Sequence, residues 1–165
     1  LAVEPPEKDT MSQPPRNAKK PIMSTKFIAR FAYMGALIGT VVLGIFTWSL
    51  LRYGWLWGEN IDKNSIAYSK SITMAFATLV TLHLLNAYNA RSQNSSILKV
   101  GFMKNPYLPI SVFASLGILY SITEIGFFQN YLGITGLSGI EWSIILIASA
   151  SIIVVEEIRK LLIKI

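Results

Sequence analysis

The chain has no cysteine and one histidine, His83, among its 165 residues. The lack of thiols excludes disulfides, thiolate nucleophiles and zinc sites built on sulfur. The sequence also has no phosphate-binding loop with its Gly-Lys-Ser/Thr ending, no pair of metal-binding histidines and no nucleophile elbow. We therefore predict no catalytic and no cofactor-binding residue, assign no metal ligand, and expect no enzyme made of these residues alone.

Charged residues are scarce as well. They make up 15% of the chain, whereas hydrophobic residues make up 52%, and ordinary soluble domains carry about 25% charged residues. Much of the chain is therefore expected to lie in lipid. The net charge is nevertheless +6. A basic surplus of this kind suits nucleic acid, anionic lipid or a cytoplasmic membrane face, and the positions of the basic residues decide between these.

Long runs without Asp, Glu, Lys or Arg mark the expected membrane spans. Residues 31–51 and 71–90 are two such runs, and each is long enough to cross about 30 Å of hydrocarbon at about 1.5 Å per residue. Residues 105–123 form a third, which opens with two prolines, as a helix entry can. The fourth, 142–155, is short, so its helix must continue through the glutamates that follow it.

These runs predict an all-α fold, an integral membrane bundle of four transmembrane helices. We place the helices at approximately 27–51, 70–90, 107–126 and 142–163, after a cytoplasmic loop at 1–26. Four glycines interrupt the stretch between the third and fourth helices and predict a loop near the membrane surface.

The basic residues predict the orientation of the bundle. If the N-terminus is cytoplasmic, twelve of the 15 lysines and arginines fall on the cytoplasmic side, and only Arg52, Lys63 and Lys70 fall on the other. This positive-inside bias favours a multi-pass protein with both termini in the cytoplasm. It also accounts for the net charge without nucleic acid as a partner.

Polar residues inside the second span are the candidates for an ion pathway. His83 lies past the middle of that span, Asn86 follows at i+3 on the same helix face, and Asn89 follows after another three residues. A functional interpretation makes them a polar stripe along an ion or proton path, because ionisable groups are costly in a membrane. The alternative is that they hydrogen-bond neighbouring helices.

The first span contains a candidate helix-packing motif. Gly35 and Gly39 form a GxxxG sequence, and small residues at this spacing allow another helix backbone to approach closely. The alternative is that both glycines face lipid, where glycine is also common.

Three segments resemble one protein family. Residues 1–21 carry a Pro-Pro, an acidic-x-Met and a Pro-Pro-Arg at a spacing similar to the cytoplasmic loop between the sixth and seventh helices of calcium-type P-type ATPases. Residues 85–97, with their Asn-Ala-x-Asn, resemble the end of the family's eighth helix. Residues 141–160 are similar to its tenth.

The resemblance implies that the chain is the C-terminal part of a ten-helix membrane domain, with its four spans as the seventh through tenth helices. Its expected partners are the lipid bilayer, the missing N-terminal and catalytic parts of the same pump, and a transported cation, calcium first. The phosphorylated aspartate and the nucleotide-binding domain would lie in those missing parts. ATP and Mg are expected there, with no cofactor in this fragment.

The chain departs from the family at one position. In reticulum-type calcium pumps the residue three before the Asn-Ala pair is a glutamate that contributes to a calcium site, and here it is His83. Calcium prefers oxygen ligands, whereas neutral imidazole offers nitrogen. We expect His83 to face the bundle interior and tune the ion pathway without being an essential calcium ligand.

Two functions follow as hypotheses. The first is a transmembrane module that supports and partly lines the ion pathway of an ATP-driven P-type cation pump. The second is a free-standing four-helix membrane protein, such as a regulatory subunit or a small transporter. A phosphorylation motif in the same reading frame would separate the first from the second.

Cysteine labelling tests the predicted topology. Lys63→Cys is expected to react with an impermeant thiol reagent from outside intact cells, and Ser95→Cys only after the membrane is opened, because the basic clusters place these positions on opposite sides. The parent protein without the added cysteine gives the background. Outside labelling of Ser95→Cys alone would reverse the topology.

Overall fold

The computed structural model describes residues 25–91, 97, 101 and 105–163. Almost all of the predicted loop at 1–26 lies outside these residues, and so does most of the connection between the second and third spans. The Pro-Pro-Arg segment and Ser95 therefore fall outside the described part of the chain.

Five α-helices, and no strand, make up the regular structure of the described residues. They are α1 (Thr25–Arg52), α2 (Ile66–Asn89), α3 (Tyr107–Glu124), α4 (Gly126–Leu132) and α5 (Gly139–Ile163). Helices α1, α2, α3 and α5 are long and apolar enough to cross a membrane. The predicted all-α fold with four membrane helices is confirmed.

Two serines determine where α2 and α5 begin. Ser65 Oγ accepts a hydrogen bond from the Tyr68 N–H at 3.1 Å. Ser138 Oγ accepts from the Glu141 N–H at 3.3 Å, and the Ser138 N–H donates to Glu141 Oε2 at 2.6 Å, which together form a capping box. Because these caps satisfy backbone donors that lipid cannot, α2 and α5 begin a few residues before the predicted starts at 70 and 142.

The predicted glycine-rich loop between the last two spans contains the short helix α4. Helix α3 ends at Glu124, because Ile125 has an extended backbone with φ −84° and ψ 121°. Gly133 ends α4 with φ 65°, a left-handed conformation that glycine adopts at little cost. Glu124 Oε1 then accepts the Leu137 N–H at 2.9 Å, which folds the connection back against the end of α3.

Helix α2 is central to the fold, since it packs against α1, α3 and α5. Its buried face carries small hydroxyl residues beside Met74. The hydroxyls of Ser71, Thr73 and Thr81 each donate to the carbonyl four residues earlier at 2.7 Å. These donors therefore stay satisfied where water is absent, and the small side chains let neighbouring helices approach closely.

Apolar side chains fill the space between the helices in three layers. One layer contains Met74, Ala77, Leu119, Leu137 and Ile145, a second contains Met34, Ile38, Leu82 and Ile152, and a third contains Tyr88, Ile97 and Val112. Because lipid is as apolar as these side chains, close packing rather than transfer from water stabilises the layers.

A buried carboxylate lies near the start of α5. Glu141 is 1% exposed, and its oxygens accept hydrogen bonds from the Tyr53 hydroxyl and from Lys70 Nζ, the latter at 3.1 Å. Lys70 Nζ also donates to the Gly136 carbonyl at 2.5 Å. The bond to this carboxylate raises the pKa of Tyr53 above its ordinary value. The cluster joins the ends of α1, α2 and α5 on one side of the bundle.

A second buried carboxylate lies near the end of α5. Glu156 is 0% exposed, and its oxygens bind Arg159 Nε at 2.8 Å, Arg159 Nη2 at 2.7 Å and Arg30 Nη2 at 2.9 Å. Arg30 comes from the first turns of α1, so this group fastens α1 to α5. Next to it, Lys160 Nζ lies 3.3 Å from Glu157 Oε1, which also accepts the Ile97 N–H at 3.0 Å.

The two arginines on Glu156 are expected to differ in their contribution to stability. Arg159→Met removes two charge-assisted hydrogen bonds and should cost about 3 kcal/mol, whereas Arg30→Met removes one and should cost about 1.5 kcal/mol. Both side chains are 23% exposed, so each serves as the matched control for the other. Thermal unfolding of the purified protein in detergent measures the order, and an equal or inverted order would contradict this account of the carboxylate.

Candidate functional site

His83 lies on the outer surface of the described four-helix unit. Its side chain is exposed, in a stripe along α2 that contains Ile72, Phe76 and Leu79 at helical spacing. It makes no hydrogen bond with the described residues. The structure therefore does not place the His83 side chain between these four helices. Its predicted interior position requires that helices from outside this chain cover the stripe.

Asn86 and Asn89 are brought together, one turn apart on α2. Asn89 Nδ2 donates to Asn86 Oδ1 at 3.3 Å and to the Ile152 carbonyl of α5 at 3.2 Å. The Asn89 side chain is 1% exposed, and its Oδ1 has no hydrogen-bond donor among the described residues. The pair thus acts partly as a hydrogen-bonded link between α2 and α5, and it leaves one buried acceptor unused.

A pocket of about 170 Å³ opens beside this pair, between the start of α1 and the end of α2. The two asparagines and Arg30 supply its polar lining. Large apolar side chains of α1, among them Phe31 and Met34, supply the rest. The pocket therefore has a polar side, formed by the two carboxamides and the guanidinium group, and an apolar wall formed by α1.

The described residues alone do not complete a site for a hard cation. They contain no group of three or more His, Cys, Asp or Glu side chains that could hold a metal ion. Calcium takes six to eight oxygen ligands. Asn86 Oδ1 already accepts from Asn89, so these two residues offer few free oxygens. Any ion site that uses them needs ligands from outside the described part of the chain.

The glycine motif of α1 also faces open space. A Cβ built on Gly35 or on Gly39 would meet no atom within 4 Å. Neither glycine therefore packs against another of the described helices, and their predicted role in helix packing concerns a surface that this unit leaves uncovered.

Comparison with known proteins identifies the family. The sequence model described as "Cation transporting ATPase, C-terminus" matches residues 1–162. This chain belongs to that family. Its four long apolar helices and its membership of a membrane ATPase family together make it an integral, multi-pass membrane protein. The resemblance to the C-terminal membrane region of P-type ATPases, drawn from three sequence segments, is confirmed.

Named relatives of this cation-transporting ATPase segment are calcium-transporting ATPases. It is 25% identical to "Calcium-transporting ATPase 4, endoplasmic reticulum-type" of Arabidopsis thaliana, over 97% of the chain and 19% of the relative. It is 30% identical to "Calcium-transporting ATPase 1" of Bacillus cereus, over 98% and 18%. A "Probable calcium-transporting ATPase" of Trypanosoma brucei brucei is 28% identical over 83% and 15%. The chain spans less than a fifth of the length of these relatives.

Two features of the site were not found from the sequence. Arg30 lines the pocket and binds Glu156, although only the local partners Arg159 and Lys160 are apparent from the spacing in α5. For this pair the predicted topology could have served as a signal, since it puts Arg30 and Glu156 at the same membrane face. The second feature is the contact of Lys70 with Glu141 at the opposite face. There the spacing of Ser138 and Glu141, which is that of a capping box, was the available signal.

Proposed function

We propose that this chain is the C-terminal transmembrane module of an ATP-driven P-type cation pump, with calcium as the transported ion. The observation that carries the proposal is the family match over residues 1–162, together with relatives whose names state calcium transport. ATP and Mg act in the parts of the pump outside this chain. A free-standing regulatory subunit or small transporter is the alternative, and no specific observation favours it.

The module is assigned two tasks. Helix α2 contributes carboxamides near its end, which can line a path for a cation whose remaining ligands come from other helices. Helices α1 and α5, held to each other through Arg30 and Glu156, form the support for α2. Both termini are placed in the cytoplasm, and the 12-to-3 distribution of basic residues supports that orientation.

The pH dependence of transport tests both the function and the role of His83. The full-length protein is expected to show calcium-stimulated ATP hydrolysis. Calcium affinity should fall more steeply toward acid pH in the wild type than in His83→Gln. The imidazole is the ionisable group that His83→Gln removes from this position, and a positive charge there would repel the cation. The calcium affinity of His83→Glu should fall only at a more acid pH than that of the wild type.

Two results would count against these proposals. The absence of cation-stimulated ATP hydrolysis in the wild type, with any divalent or monovalent cation, would remove the pump function. Identical affinity, stoichiometry and pH profile in the wild type and both variants would remove His83 from the ion pathway while leaving the pump function intact.

The glycine face of α1 gives a separate test. Gly39→Leu should lower the unfolding temperature and the ATP turnover of the full-length pump, because a leucine would keep a packed helix away, at a cost of about 1–3 kcal/mol. Gly44→Leu is the matched control, since Gly44 also meets open space but lies on another side of α1. If both variants behave as the wild type does, Gly39 faces lipid.

A further inference from the structure

The short helix α4 carries its large apolar side chains on one side. Phe127 and Tyr131 are four residues apart, so they share a helix face, and they are 72% and 83% exposed. Leu132, beside them on the same side, is 51% exposed. Gln129 lies on the other side, where its Nε2 donates to the Thr123 carbonyl of α3 at 2.8 Å. Helix α4 is therefore amphipathic, and the side turned away from α3 is the apolar one.

The length of α3 places α4 at the membrane surface. Helix α3 has 18 residues, which amounts to about 27 Å at about 1.5 Å per residue. The hydrocarbon layer is about 30 Å thick, so α3 needs its whole length to cross it. Its last residue, Glu124, therefore lies at the edge of this layer. Helix α4 begins two residues later, at Gly126, and so lies at the level of the lipid headgroups.

Helix α4 is folded back on the end of α3 and does not project into water. The bond from Gln129 to the Thr123 carbonyl holds the middle of α4 at that end. The chain then returns, since the Leu137 N–H donates to Glu124 Oε1 at 2.9 Å. A Cβ on Gly136 would lie 3.0 Å from Glu124 Oε2 and 3.2 Å from Gln129 Nε2, so the connection is tightly folded here. The apolar side of α4 thus stays close to the membrane surface.

We propose that α4 is an interfacial anchor, whose apolar side inserts between the headgroups and the first acyl carbons of the leaflet at this membrane face. Aromatic and apolar side chains on one side of a surface helix favour this position. Residues 125–140 contain no Asp, Glu, Lys or Arg, so insertion needs no anionic lipid. The inference goes beyond the proposed function, because it concerns contact with the bilayer and not transport.

The connection between α1 and α2 supports this depth. It lies at the same membrane face as α4, because each of the two connections follows a span that crosses in the same direction. Leu56 and Trp57 are 64% and 80% exposed there, and the Trp55 and Trp57 rings pack edge to face at 5.7 Å between centroids. Tryptophan and tyrosine are enriched at membrane–water interfaces. Both connections therefore present aromatic side chains at one level.

A protein partner fits this surface less well than lipid does. Helix α3, from which α4 emerges, exposes Ile110, Phe113 and Ile118 by 62%, 73% and 62%. This exposed apolar wall leads to α4 within one chain segment. No charge between residues 125 and 140 is available to select a protein partner by complementarity. Lipid needs no such selection.

An anchored α4 would control the depth of three helix ends. The connection that follows α4 is bonded to α2, since the Thr135 N–H donates to Thr73 Oγ1 at 3.0 Å and Lys70 Nζ donates to the Gly136 carbonyl. Lys70 also binds Glu141, near the start of α5. Contact with lipid at α4 is thereby passed to the end of α3 and to the starts of α2 and α5.

Spin labelling of the full-length protein in phosphatidylcholine vesicles tests the anchor. Single cysteines replace Phe127, Tyr131 or Asn130 and carry a nitroxide. Asn130 is the matched control, because it is exposed on the polar side of the same helix. This chain contains no cysteine of its own, so only cysteines elsewhere in the protein have to be replaced. Power-saturation electron paramagnetic resonance then compares how readily oxygen and a water-soluble nickel complex reach each label.

The ratio of oxygen to nickel accessibility should be several-fold higher at positions 127 and 131 than at 130, because oxygen concentrates in lipid and the nickel complex in water. Two results would overturn the proposal. Equal access of the nickel complex to all three labels would place α4 in water. Labels at 127 and 131 that are shielded from both reagents would show that protein covers this side.

A charge on the apolar side gives a second measurement. Tyr131→Asp should raise several-fold the access of the nickel complex to a label at position 127, because a carboxylate is costly among acyl chains. Asn130→Asp should leave it unchanged. Both side chains are exposed, so neither substitution removes packing within the bundle. Equal effects of the two substitutions would contradict insertion. Neither measurement depends on ATP hydrolysis, so failure of the pump function would leave this inference standing.

Discussion

A charge that a membrane protein buries must be paired, because neither lipid nor the protein interior can hydrate it. This constraint determines the arrangement of α5. Its two fully buried carboxylates, Glu141 and Glu156, lie near opposite ends of the helix, and each binds a cation from another helix: Lys70 of α2 and Arg30 of α1. Helix α5 is thereby positioned at both ends, and the apolar layers fill the space between.

Parts of the outer surfaces of α1 and α2 are not covered by the described helices. Helix α2 satisfies the hydroxyls of Ser71, Thr73 and Thr81 from its own carbonyls while it packs on α1, α3 and α5. The glycine face of α1 and the outer stripe of α2 meet nothing from the described helices. The relatives are several times longer than this chain, so they contain sequence beyond the segment that they share with it.

Near the pocket, the described residues offer a cation only neutral oxygen ligands, the carboxamide oxygens of Asn86 and Asn89. Carboxamides are near the end of α2, and the buried carboxylates are already neutralised by arginine and lysine. A hard cation would therefore draw most of its ligands and all of its charge compensation from other helices. In such an assembly α2 would shape the edge of an ion path rather than form its centre, and α5 would hold α2 in place.

How far the sequence predicted this protein depends on the range of each interaction. The uncharged runs alone determined the four spans, because lipid tolerates only segments that satisfy their own backbone hydrogen bonds. The three-residue interval of Asn86 and Asn89 likewise determined that they would meet, since helix geometry fixes neighbours on one face. The resemblance to the pump family came from local segments and was confirmed by the match to residues 1–162.

Only the tertiary structure decided which groups meet across helices. Arg30 and Glu156 are 126 residues apart, and Lys70 and Glu141 are 71 apart. The outward position of His83 and the unused oxygen of Asn89 were decided in the same way. Periodicity fixes the directions of side chains around one helix, but the rotation of that helix against its neighbours depends on how all the helices pack together.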